Sequence, residues 1–174
     1  MKHQVLTIFV LFALLATSAL AQQDSELDKL DEKLVHQFEK TMPEWKHERV
    51  EPIAGSVGVL IQFWSFGDRK VKVSILLHKS VEEARATIQT HVRYSFNSET
   101  LTGIGDEAYS SSGHESWLVA FRRGKFTVYI YVPADVGVGP DGQSPTPERL
   151  EREKAEMKQL SRELAKQVVA GFPD

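Results

Sequence analysis

Two His-Glu dipeptides, His47-Glu48 and His114-Glu115, put side chains suited to metal-assisted hydrolysis next to each other. A zinc-protease helix needs a second histidine four residues after the first, so that both imidazoles leave one helix face and the glutamate can act as base. The residues at those positions are Glu51 and Leu118, and neither dipeptide completes the motif. His36, His78 and His91 add no ligand spacing of a known metal site, and solvated or hydrogen-bonded rings are their ordinary state. The chain has no cysteine, which removes thiolate nucleophiles, and neither a G-x-S-x-G elbow nor a Walker A loop is present. No catalytic residue, metal site or cofactor is therefore expected.

The stretch GIGDEAY, Gly103 to Tyr109, satisfies the dinucleotide pattern G-x-G-x-x-G/A by its letters. That chemistry also needs a buried strand before the first glycine and a helix after the last residue, so that the helix start receives the pyrophosphate. The flanks are NSETLT and YSSSG, with no apolar period of either kind, and Asp106 and Glu107 would set two negative charges against a phosphate. Gly103, Gly105, Asp106 and Glu107 are read instead as a structural turn: the glycines allow backbone conformations closed to other residues, and Asp106 hydrogen-bonds nearby amides as the chain enters the strand carrying Tyr109. A G-x-GDEA-Y turn followed by an aromatic-rich strand, an R-x-G hairpin and a closing helix resembles small exported bacterial domains, found as lipoproteins and as extracellular sensor domains of serine/threonine kinases. The resemblance runs from about Gly103 to Phe172. It implies an α+β fold presenting a cleft, and ligand or signal binding outside the cytoplasm.

The elements that must position any site follow from periodicity. In DSELDKLDEKLVHQFEKTM, Leu27, Leu30, Leu34 and Phe38 recur at steps of three and four, one helix face, and Pro43 ends the run. From Val57 the period becomes two: Val57, Val59, Ile61 and Phe63 alternate, GDRK turns the chain, and Val71, Val73, Ile75 and Leu77 alternate again, a β-hairpin. Ser80 with Glu83 forms a capping box for a second helix to about Val92, with Val81, Ala84, Ile88 and Val92 on its stripe. WLVAF, the turn RRGK and FTVYIYV make a second hairpin, in which Phe126, Val128, Ile130 and Val132 take one face and Tyr129 and Tyr131 the other. After the Gly- and Pro-rich segment from Pro133 to Pro147, Thr146 caps a last helix with Pro147 in its first turn. Leu150, Met157, Leu160, Leu164 and Val168 form its stripe, and Arg149 with Glu153 is read as a solvent-side pair. The fold expected is α+β in two layers, an antiparallel sheet of two hairpins with helices packed on a face, in the order α-ββ-α-β(β)β-α.

The first hairpin also holds a second apolar set, Leu60, Trp64, Phe66 and Leu76, and the last strand adds Tyr129 and Tyr131. If helices cover one sheet face only, Trp64, Phe66, Tyr129 and Tyr131 form an aromatic surface suited to a small ligand, with the Pro133–Pro147 loop as a lid. The alternatives are that a helix or this loop covers them, or that the patch docks another protein, as a subunit or accessory of an envelope complex. An unrecognised hydrolase stands third. Arg69, Lys70, Arg122, Arg123 and Lys125 are read as solvated charges of hairpin turns that guard sheet edges.

Compartment and partners complete the reading. MKHQVLTIFVLFALLATSALA has a basic start, an apolar run from Val5 to Leu15 and an A-x-A at Ala19 and Ala21, the form of a secretory signal peptide. The run is shorter than the roughly 20 residues a membrane span needs. Residues 1–21 are read as the signal and 22–174 as a single domain, free in a periplasm or medium; without a cysteine there is no lipid-bearing one, so neither span nor lipid anchor is expected. A formal charge of −3 with acidic and basic residues interspersed leaves no basic stripe for nucleic acid. The partner expected is an unidentified small ligand or protein.

Overall fold

The computed structural model describes residues 25–50, 56, 58–113, 116–134 and 146–172. The signal segment and the lid reading of the Pro133–Pro147 loop lie outside these residues for all or most of their length. The described chain is α+β: helices α1 (25–41), α2 (Val81–Tyr94) and α3 (Pro147–Gly171) pack on an antiparallel sheet of β1 (Lys46–Val50), β2 (Val59–Phe66), β3 (Arg69–Leu77), β4 (Glu99–Leu101), β5 (Glu107–Ser112), β6 (Ser116–Arg123) and β7 (Phe126–Pro133). Spatial order across the sheet is β1-β2-β3-β7-β6-β5-β4. No described helix is long and apolar enough to cross a membrane.

One sheet face carries the core. Leu60 and Trp64 of β2, Val71, Val73 and Ile75 of β3, Val119 and Phe121 of β6, and Val128, Ile130 and Val132 of β7 point to it, all at most 1% exposed. The apolar stripes of α1 (Leu27, Leu30, Leu34, Phe38) and α3 (Met157, Leu164, Ala165, Val168) close over them. Phe38 stacks on Trp64 with ring centroids 4.4 Å apart, an arrangement that adds about 1 kcal/mol to the area it buries. At the α3 end, Phe172 lies edge-on to Phe121 and Phe126.

The second face explains α2. The chain leaves β3 in the middle of the sheet and must reach β4 at its far edge, so the connection crosses over β7 and β6. Ser80 Oγ accepts from Glu83 N–H at 3.2 Å, and Glu83 Oε2 accepts from Lys79 N–H at 3.0 Å, a capping box displaced by one residue on its return bond. Glu82 and Glu83 in the first turn and Arg93 in the last complement the helix dipole. Ala84 and Ile88 are buried against the sheet, where Thr127 Oγ1 reaches Ala84 O and His78 Nε2.

Three expectations are revised. Helices lie on both sheet faces rather than one, α2 over β6 and β7 of the second face. In the first hairpin β3 faces as expected but β2 is reversed: Leu60 and Trp64 enter the core, whereas Val59, Ile61 and Phe63 are half-buried on the second face. Both parity sets of β2 are apolar, so alternation alone does not choose between them. The sheet also has strands at both edges, β1 and β4, that the sequence pattern did not reveal, because KHERV and ETL carry no apolar alternation.

Candidate functional site

The four aromatic residues expected to share a surface are divided by the register. Trp64 is fully buried in the core. Phe66 has the same parity but lies at the strand end, 49% exposed and stacked on Trp45. Tyr129 and Tyr131 belong to the opposite face, paired with Ser74 and Lys72 of β3. Only the two tyrosines come together at a cavity.

That cavity forms where α2 ends and the sheet continues. Lys72, Tyr131 and Leu118 are aligned in one cross-strand row, Ser74 and Tyr129 in the next, and His91 from the last turn of α2 makes the wall. These six residues line a shallow, largely solvent-open concavity of about 450 Å³, a volume within the range, roughly 300–1,000 Å³, that small ligands occupy. The His91 ring meets Tyr129 edge-on at 4.9 Å. Burial lowers the pKa of His91, so the imidazole is held neutral, and its Nε2 is buried without a hydrogen-bond partner among the described residues. Burial likewise raises the pKa of the Tyr129 phenol, keeping it a donor. The floor is aromatic, and the polar groups available there are a lysine ammonium, a serine hydroxyl and two phenols.

Lys72, Ser74, Leu118 and His91 were not singled out from the sequence. The first two are polar residues between core positions Val71, Val73 and Ile75, and so read as plain solvent-side positions. Their one signal was indirect: the outward parity of β3 must meet the outward tyrosines of β7 if those strands are neighbours. His91 stood among scattered histidines; His36, His47 and His78 lie elsewhere, and His114 is outside the described residues. Among the described residues no three His, Asp or Glu side chains gather in a metal-ligating group.

GIGDEAY spans the turn between β4 and β5, Gly103 to Asp106, and the first three residues of β5. Gly103 and Gly105 have φ of +75° and +55°. Asp106 closes the turn against the neighbouring β6–β7 hairpin: its N–H donates to Arg122 O at 2.8 Å, and Oδ2 accepts from Gly124 N–H at 2.8 Å and Arg122 Nη1 at 2.7 Å. Glu107 Oε1 takes Arg122 Nε at 2.6 Å. Arg122 is thus a buried strut, 5% exposed, and not a solvated turn charge. Arg69 departs from expectation in the same way, donating at 2.8 Å to Glu153, which α3 turns toward the sheet instead of to solvent.

A second polar chain, buried at Trp64, Gln62 and Asp31 and reaching the surface at Arg49 and Asp28, joins α1 to β1 and β2. Trp64 Nε1 donates to Gln62 Oε1 at 3.2 Å, Gln62 Nε2 donates to Asp31, and Arg49 bridges Asp31 and Asp28 at 3.0 and 2.8 Å. With its members satisfied by one another, this chain sets the position of α1 on the sheet.

Compared with protein-family models, with curated proteins and with solved structures, the chain has no match.

Proposed function

We propose that the protein is an exported, non-catalytic domain that binds a small ligand in the cavity between the end of α2 and the second sheet face. The observation that carries this reading is the cavity itself: a 450 Å³ concavity floored by Tyr129 and Tyr131, beside a buried imidazole nitrogen that has no hydrogen-bond partner among the described residues. Aromatic faces supply contact area at little entropic cost, and a few placed polar groups orient what lies on them. The N-terminal segment supports the exported part, and the cleft implied by the resemblance at Gly103–Phe172 agrees with the binding part.

Native mass spectrometry of the protein isolated gently from its exported fraction tests the reading. A small mass adduct lost on denaturation, and absent from the Tyr131→Ala variant, is the expected result. A bare chain, with a Tyr129 and Tyr131 environment unchanged by any small molecule of a screening panel, would overturn it. A second reading, a protein-docking surface, is favoured by Tyr94 and Phe96, which are 78% and 85% exposed around the end of α2. It would be recognised by dimer or complex masses without an adduct.

A further inference from the structure

We infer that the ligand of this cavity is a small organic anion, a carboxylate on a flat apolar or aromatic body. The inference rests on the binding reading above and concerns the charge of the occupant. No carboxylate is among the six lining residues, and apart from the neutral His91 imidazole the polar groups they offer are ones that can donate: Lys72 Nζ, Ser74 Oγ and the phenols of Tyr129 and Tyr131.

The charges around the cavity point the same way. Among the described strand residues, the carboxylates on this sheet face are Glu48 and Glu107. Glu48 is held by Lys70 at 2.9 Å, and Glu107 by Arg122 at 2.6 Å with Arg85 at 3.5 Å. Lys72 lies between these pairs and forms no ion pair among the described residues. The acidic residues of the first α2 turn, Glu82 and Glu83, are at the opposite end of the helix from His91. A chain whose formal charge is −3 therefore presents, at this concavity, a lysine that forms no ion pair among the described residues, beside two tyrosines. Carboxylate on lysine, reinforced by hydroxyl donors, is the pairing this geometry favours, and the tyrosine faces take a planar body.

The test uses three probes of one shape: 2-naphthoate, the neutral 2-naphthalenemethanol and the cationic 2-naphthylmethylammonium, titrated against the protein with NMR signals of Tyr129 and Tyr131 as the readout. Naphthoate is expected to bind about tenfold more tightly than the alcohol, with the ammonium weakest. Lys72→Met should remove the preference for naphthoate while leaving the alcohol unchanged, and Lys72→Arg should retain it within about threefold. Equal affinities for acid and alcohol, or a preference that persists in Lys72→Met, would overturn the anion assignment while leaving the cavity a binding site. Binding of none of the three at either tyrosine would overturn the site and the assignment together.

Discussion

Alanine at Gly105 should be far more damaging than alanine at Gly103, although both glycines have positive φ and stand two residues apart. An L-residue in this left-handed region costs about 1–2 kcal/mol, and at Gly103 nothing lies within 4 Å of an added Cβ, so that cost is the whole effect. At Gly105 the Cβ would stand 2.4 Å from Arg122 O and 3.1 Å from Phe121 Cδ2, too close to a backbone atom that belongs to the sheet. The turn must move away, and the Asp106 N–H to Arg122 O bond goes with it, about 1 kcal/mol more. Those two contributions alone bring Gly105→Ala to about 2–3 kcal/mol, to which the displaced turn adds, and at roughly 2–4 °C per kcal/mol for a domain of this size Tm falls by at least about 4–12 °C. Gly103→Ala should lower it by about 2–8 °C, and Gly103→Asn by less, because asparagine tolerates this region. Thermal and urea unfolding of the three variants measure the difference. Equal losses at the two positions would refute the claim that GIGDEAY is selected by the close approach of its second glycine to β6.

Arg122→Met keeps the buried stem but strands Asp106 and Glu107 without their shared cation; a loss of about 2–4 kcal/mol in urea unfolding is expected, and a neutral result would show the strut to be dispensable. Gln62→Leu should cost about 1–3 kcal/mol, since Trp64 Nε1 loses its buried acceptor, and tryptophan emission should report the change; unaltered stability and spectrum would count against the α1 polar chain. Burial lowers the pKa of His47, His78 and His91 from 6.5, so the unfolded chain takes up protons that the folded chain refuses. Stability should be full above about pH 6.5 and decline as pH falls through that value, which the urea midpoint between pH 7.5 and 5.5 measures; a midpoint that rises on acidification would reverse the sign. Glu99, whose pKa is lowered chiefly by its hydrogen bond from Lys158, acts in a separate window, its contribution lost only as pH falls below about 4.5.

The helices and central hairpins were legible because their signal is local. Leu27, Leu30, Leu34 and Phe38 repeat with the helical period and are all buried on one side of α1, and Ser80 and Thr146 cap the helices their side chains suggest. Edge strands escape such reading: β1 and β4 each have a strand partner on one side only, so their side chains need no apolar alternation. The candidate site was half legible. Tyr129 and Tyr131 stand out as aromatic residues on the wet parity of β7, but Trp64 and Phe66 carry an equally strong pattern and lie on the opposite face.

What the sequence determined by itself is the type and approximate extent of each strongly periodic element, the absence of thiol chemistry and the turn character of GIGDEAY, because periods and residue types are properties of short stretches of chain. The tertiary structure decided which face of β2 is core, since Leu60 and Trp64 compete with Val59, Ile61 and Phe63, and the tie is broken by the register that sets Leu60 and Trp64 opposite Ile75 and Val71 and by the docking of α1 through Phe38 and the Asp31–Gln62 bond. It also decided that residues 72, 91 and 131 meet. Their proximity depends on β3 pairing with β7 and on α2 ending over that pair, a long-range arrangement that no local pattern encodes.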